Sequence, residues 1–271
     1  MSAQSLDRWL LVNYAGYPYA ANSLMPDNGL AKLAAVLLAD GRSVRILDYT
    51  TVSVLERFTT PALTQKLSRA WDRIFDSSGK EISVWEKLLV LPNLARSEFT
   101  RHRCGQVVLR HAAENLLNEI CRNDVQSVGF KLWNGDGFQG SVWLAGFIRE
   151  KRPGIRIWGG GPHVDVFRQE ILKHTEVFDA LVFGEGEESI LGLAEKGNDP
   201  ETWETIPNLL FRRGKSIHTT EQRSVPDVDA FPEPSYAADI YPAVAENEKI
   251  RIAVIEESRG CPNHCAFCIH P

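Results

Sequence analysis

The sequence predicts an α/β fold, a doubly wound parallel sheet, on three observations. Short apolar runs alternate with amphipathic helical segments through residues 1–198. The links between them are short, so consecutive strands must run parallel with a helix crossing between them. Two of the apolar runs end in glycine-rich turns, Gly159-Gly160-Gly161 and Gly184-Glu185-Gly186, the kind found at the carboxyl ends of such strands.

Residues 9–14 form the first apolar run and read as a buried strand. A loop with Gly16, Pro18, Pro26 and Gly29 follows. Leu30, Leu33, Ala34, Leu37 and Leu38 then share a helical face, and Asp40-Gly41 closes that helix. Residues 43–49 give the second strand. Residues from about 51 to 105 break the rhythm and read as a helical insertion. Leu63, Leu67, Ala70, Trp71, Ile74 and Phe75 mark one helix in it, and Ile82, Trp85, Leu88 and Leu89 a shorter one. Arg96, Arg101, His102, Arg103 and Arg110 read as a solvated basic face.

Helices are expected over 106–121, 138–152, 164–174 and 188–196, and strands over 125–133, 155–158 and 180–183. Beyond these, 207–212 and 216–219 flank Arg213-Gly214-Lys215 as a β-hairpin. Pro226, Pro232, Pro234 and Pro242 make 225–242 an extended linker, since proline suits neither a helix interior nor a central strand. Residues 250–256 read as a new strand leading into Ser258-Arg259-Gly260-Cys261. The expected organisation is an α/β domain over 1–198, a hairpin and linker over 199–249, and the start of a second domain over 250–271.

The chain has 271 residues, 44% of them hydrophobic, enough to bury a sizeable core. Its formal charge of −5 argues against a nucleic-acid partner, which needs a basic face. No apolar run is long enough to span a bilayer, and the polar start does not read as a signal peptide, so no membrane partner and a cytoplasmic location are expected. Of five cysteines, three crowd into Cys261, Cys265 and Cys268, while Cys104 and Cys121 stand alone. An odd, clustered set suits a soft metal centre in a reducing compartment better than a disulfide framework. Iron–sulfur clusters usually take four thiolates, so three leave one iron open. Zinc is the rival, but its motifs pair cysteines with a distant second pair that this sequence lacks.

The spacing C-x3-C-x2-C, with Phe267 before the third cysteine and Ser258-Arg259-Gly260 ahead of the first, resembles the radical-SAM superfamily. The turns Gly159-Gly160-Gly161-Pro162-His163 and Gly184-Glu185-Gly186-Glu187, followed by the stretch from Val225 to Pro232, resemble the cobalamin-binding members. That resemblance implies a Rossmann-like cobalamin-binding domain followed by the first strand of a radical-SAM barrel truncated after the cysteine loop. It implies a [4Fe-4S] cluster on Cys261, Cys265 and Cys268, S-adenosylmethionine on the open iron, and a one-electron reductant of flavodoxin or ferredoxin type as partner. The implied reaction is radical methyl transfer to an unknown substrate by the intact protein. The elements that wall in S-adenosylmethionine lie downstream in the family, so this chain is expected to be a fragment inactive alone. Two alternatives stand beside this: a non-catalytic corrinoid-binding module, and a radical-SAM enzyme whose α/β domain binds no cobalamin.

The expected cofactor-binding residues are Tyr14, Lys131, Trp133, Asn134, Gly159, Gly160, Gly161, Pro162, His163, Gly184, Glu185, Gly186 and Glu187, all in loops or turns at strand ends. Tyr17 and Tyr19 belong to the first of those loops. None of the seven histidines stands in a D-x-H-x-x-G pattern, so cobalamin is expected base-off without a protein His ligand. Asp48, at the end of the second strand, is where a dinucleotide fold would place its ribose-binding acid, but the first turn lacks G-x-G-x-x-G.

Overall fold

The first strand sets the architecture. β1, Arg8–Asn13, sends Leu10 and Val12 into one hydrophobic cluster and Trp9 and Leu11 into another, and all four are buried. A strand buried on both faces needs a layer of helix on each. The computed structural model describes residues 7–16, 24–75, 83–225 and 227–249, with Ile252, Ile255, Glu256, Arg259, Asn263, Cys265 and Ala266.

The remaining strands are β2 (Ser43–Asp48), β3 (Ser127–Lys131), β4 (Arg156–Gly160), β5 (Ala180–Val182), β6 (Leu209–Arg213) and β7 (Ser216–Thr219). They form one seven-stranded sheet in the order β2-β1-β3-β4-β5-β6-β7. The first five are parallel, as expected, while β6 pairs antiparallel with β5 and β7 with β6. The expected hairpin therefore belongs to the sheet itself. Leu209 and Phe211 are buried on one face and Leu210 on the other, which fixes β6 as a sheet strand.

Helix α1, Asn28–Ala39, crosses from β1 to β2 over the Trp9 face. Asp27 caps it, accepting a hydrogen bond from Leu30 N at 3.0 Å. Helices α2 (Val52–Phe58) and α3 (Pro61–Ile74) lead to α4, Val84–Arg122, a single helix of 39 residues. Here the sequence suggested two separate helices. Pro92 sits inside α4 without ending it, and the side chain of the next residue folds back on the helix, Asn93 Nδ2 donating to Leu89 O at 3.0 Å. The far half of α4 buries Val108, Ala112, Leu116 and Ile120 against β1 and β3, so one helix serves both insertion and crossover.

Helix α5, Asp136–Lys151, covers the same face. The helix expected over 164–174 is split into α6 (Pro162–Phe167) and α7 (Gln169–His174) by Arg168, whose φ is +47°. Helix α8, Glu187–Lys196, returns to the Trp9 face beside α1. The expected linker is not a free tether. Ile240, Tyr241 and Ala243, the last in the short helix α9 (Pro242–Ala245), are buried with Trp9 and Trp203. The strand expected over 250–256 lies largely outside the described residues, and Ile252, Ile255 and Glu256 are in no strand. No helix is long and apolar enough to cross a membrane among the described residues.

Candidate functional site

Register brings the strand ends into one row. Asn13 pairs with Asp48 and with Lys131, Lys131 with Gly160, and Gly160 with Val182. The chain moves one way from β1 to β2 and the other way from β3 onward, so the order reverses between β1 and β3. Open α/β sheets bind ligands at that reversal, beyond the carboxyl ends of the strands.

A cleft of about 320 Å³ lies there, between α1, α8 and the sheet. Its walls are apolar: Trp9 and Leu11 from β1, Trp158 from β4, Leu30 and Leu33 from α1, Ile190 and Leu193 from α8. Its depth comes from missing side chains. A Cβ on Gly129 would stand 3.0 Å from Leu11 Cδ2, and one on Gly186 3.4 Å from Leu33 Cδ2, both cleft-lining leucines. Gly160 has its nearest such neighbour, Val182 O, at 3.4 Å. Gly161, with φ +104°, makes the turn into α6 that a side chain would strain.

The predicted residues Lys131, Gly159, Gly160, Gly161, Pro162, Gly184, Glu185, Gly186 and Glu187 all line this cleft. Lys131 is fixed at its mouth: Nζ lies 2.5 Å from Asp27 Oδ2 and 4.6 Å above the Trp133 ring. Trp133 Nε1 donates to Asn13 Oδ1 at 2.7 Å, and Asn13 Nδ2 donates to Asp48 Oδ1 at 3.1 Å. Tyr241 OH donates to Asp48 Oδ2 and accepts from Asp27 N at 3.0 Å. These contacts close a ring from Lys131 through Asp27, Tyr241, Asp48, Asn13 and Trp133 back to Lys131. Burial, reinforced by the Asp48 charge, pushes the Tyr241 phenol far above its ordinary range, so it stays a donor.

Four predicted residues lie apart from the cleft lining. Tyr14 is 3% exposed, packed against Gly140, and burial raises its phenol above the ordinary range, with the Asp136 charge adding to it. Trp133 serves the ring just described. Asn134 Oδ1 and His163 Nδ1 are 2.8 Å apart. The amide oxygen can only accept, so Nδ1 carries the proton and neutral His163 keeps Nε2 as an acceptor. The imidazole stacks on Phe138 at 3.9 Å and lies 4.4 Å from Phe167, and burial lowers its pKa. Asp48 is no ribose ligand: its carboxylate is buried against Lys249 Nζ at 2.8 Å.

Cys265 is exposed, while Cys261, Cys268, Tyr17 and Tyr19 lie outside the described residues. Among the described residues no group of three His, Cys, Asp or Glu side chains is arranged for a metal. Sequence reasoning missed Asp27, Asn13 and Arg259. Asp27 carried a signal, as a capping residue three positions before the apolar face of α1. Arg259 was noticed only as lead-in to Cys261, yet it lines the cleft, and Nη2 lies 2.7 Å from Glu187 Oε1. Burial opposes its charge, but hydrogen bonds to Glu256 and Glu187 outweigh that and hold the guanidinium above its ordinary range.

No protein-family model matches the chain. It is 27% identical over 167 residues, 60% of its length, to the cobalamin-dependent radical SAM methyltransferase TokK of Streptomyces tokunonensis, covering 24% of that protein. It is 31% identical over 118 residues, 42% of its length, to an anaerobic magnesium-protoporphyrin IX monomethyl ester cyclase of Cereibacter sphaeroides, covering 19% of it. The chain thus spans about a quarter or less of the length of these curated relatives. In fold it resembles the cobalamin-dependent S-adenosylmethionine radical enzyme OxsB, solved with aqua-cobalamin and S-adenosylmethionine bound. The TM-score is 0.60 at 15% identity, over 97% of this chain and 28% of that one. Over 60% of its length the chain is thus similar in sequence to cobalamin-dependent radical SAM methyltransferases, and over nearly all of it the chain shares the fold of a cobalamin-dependent radical enzyme.

Proposed function

We propose that the chain is the corrinoid-binding part and cluster loop of a cobalamin-dependent radical SAM enzyme of the methyltransferase type. One observation carries this reading: Arg259, two residues ahead of Cys261, lines the same glycine-floored cleft as Lys131 and Glu187. A corrinoid's flat, apolar nucleotide base suits a narrow slot with tryptophan and leucine walls. The larger macrocycle and its amide arms would then lie over the strand ends, where Lys131 and the Gly161 and Gly184 turns offer polar groups. None of the seven histidines stands in a D-x-H-x-x-G pattern, so base-off binding without a protein His ligand fits the sequence.

The donor set Cys261, Cys265 and Cys268 suits a [4Fe-4S] cluster, being three soft thiolates with no fourth nearby in the sequence. When bound, the cluster with S-adenosylmethionine supplies a carbon radical and the corrinoid a methyl group, while the protein orients them. The relatives include a cyclase as well as methyltransferases, so methyl transfer rests on the 60% match to TokK rather than on the fold. A flavodoxin- or ferredoxin-type reductant completes the reading.

Anaerobic reconstitution tests it. Iron and sulfide should give an iron–sulfur absorbance that is lost in Cys265→Ala. Hydroxocobalamin should stay with the protein through gel filtration and shift its spectrum. A colourless chain with stoichiometric zinc would overturn the cluster, and corrinoid eluting free would overturn the cleft assignment.

A further inference from the structure

Arg259 holds two segments at once. Its Nε and Nη2 donate to the two oxygens of Glu256, each at 3.0 Å, within its own stretch of chain. Nη2 also lies 2.7 Å from Glu187 in the first turn of α8, and Nη1 lies 3.8 Å from Glu185. This is not a solvated surface pair: the Arg259 side chain is 18% exposed and that of Glu187 5%. Among the described residues, Arg259 is the cation paired with Glu187. A planar guanidinium can grip both carboxylates in fixed directions, which an ammonium cannot.

The Gly184–Glu187 turn is a junction for other segments too. Glu185 Oε2 accepts from Val225 N where the linker starts, and Glu185 O accepts from Asn208 Nδ2 at 2.8 Å just before β6. Among the described residues, Arg259 is therefore a point at which the stretch leading into Cys261 is fastened to the sheet domain. Two residues span at most about 7 Å, so a displaced Arg259 must carry Cys261 with it.

We propose that Arg259 is a positioning residue that sets the separation between the cluster on Cys261, Cys265 and Cys268 and the corrinoid in the cleft. The proposal rests on the reading above of what those two sites hold. Its readout is magnetic rather than catalytic. The chain is reconstituted anaerobically with iron and sulfide, loaded with hydroxocobalamin, and reduced until cluster and cobalt(II) both carry unpaired spin. Coupling between two spins falls steeply with distance, so their paramagnetic resonance lines report the separation.

The wild-type chain should show resolved coupling. Arg259→Met and Glu187→Gln should lose it in the fraction of each protein loaded with both cofactors, which saturating hydroxocobalamin secures even where the change in the cleft lining weakens uptake. Arg259→Lys, which keeps the charge without the fork, should retain part of it. A role confined to stability would shift the melting temperature and leave the coupling alone. Both variants loading fully with wild-type coupling would overturn the positioning role and leave the proposed function standing. A wild-type chain that takes up neither cofactor would overturn both.

Discussion

Lys249 Nζ lies 2.8 Å from Asp48 Oδ2, and both side chains are at most 1% exposed. The lysine comes from the end of the proline-rich stretch and the aspartate from the end of β2, so a buried ion pair fastens one to the other. Lys249 also donates to Thr50 Oγ1 at 2.5 Å, and Asp48 accepts from Thr50 N at 2.9 Å. A desolvated pair of this kind is costly to break from one side, because the partner charge stays buried.

Asp48→Asn should therefore destabilise the chain by about 3–5 kcal/mol at neutral pH. Urea unfolding followed by circular dichroism measures it. Asp48→Asn combined with Lys249→Met should recover part of the loss, since both charges are then gone. A single variant as stable as wild type would refute the buried pair.

Gly140→Ala should also destabilise, by about 1–3 kcal/mol through overpacking. A Cβ there would stand 2.2 Å from Tyr14 Cε1 and 2.7 Å from Cδ1, and Tyr14 is buried with little room to retreat. Thermal unfolding would show it, and an unchanged midpoint would mean that Tyr14 is packed elsewhere.

Filling the cleft should separate binding from folding. Gly160 faces Val182 with its nearest neighbour at 3.4 Å, so alanine fits there and leucine would fill the slot. Gly160→Leu should weaken hydroxocobalamin retention at least tenfold, about 1.4 kcal/mol, with Gly160→Ala much milder. Spectral titration gives the affinities. Equal binding by all three proteins would place the corrinoid elsewhere.

The stability of the chain should fall on mild acidification partly through His163. Burial lowers its pKa below the ordinary 6.5. As pH falls, the unfolded chain takes up this proton first, so the native state loses relative stability. The contribution is fully present above about 6.5 and disappears as pH drops through the folded-state value. His163→Gln should flatten the dependence of unfolding free energy on pH between about 7 and 5. An unaltered slope would show that His163 titrates as in the unfolded chain.

Much of the fold could be read from periodicity, because strands buried on both faces leave continuous apolar runs such as Trp-Leu-Leu-Val. The glycine turns were legible for a related reason: a tight strand-to-helix turn and a slot beside it both require absent side chains. Three features were not legible. The single helix α4 is one, because a sequence does not show the tertiary packing that carries it past Pro92. The split at Arg168 depends on one backbone angle that no side-chain pattern announces. The proline-rich stretch looks like a tether, yet Ile240 and Tyr241 are core residues, since sparse apolar positions in irregular chain have no period to detect. Partners such as Asp27 for Lys131, or Arg259 for Glu187, come from distant parts of the sequence. Their charges could be seen there, but not their pairing.

The closed ring through Lys131, Asp27, Tyr241, Asp48, Asn13 and Trp133 has a consequence for any ligand that reaches the strand ends. A free lysine would have to surrender the motion of four rotatable bonds on engaging a ligand, at a cost of up to about 2 kcal/mol. Here that freedom was given up when the chain folded, with the ammonium already held by a carboxylate and an indole. A ligand arriving at the cleft meets a charge whose position is decided beforehand, so the site is preorganised. The same arrangement selects against ligands that would need the ammonium to swing away from Asp27, because they would have to break the ring first.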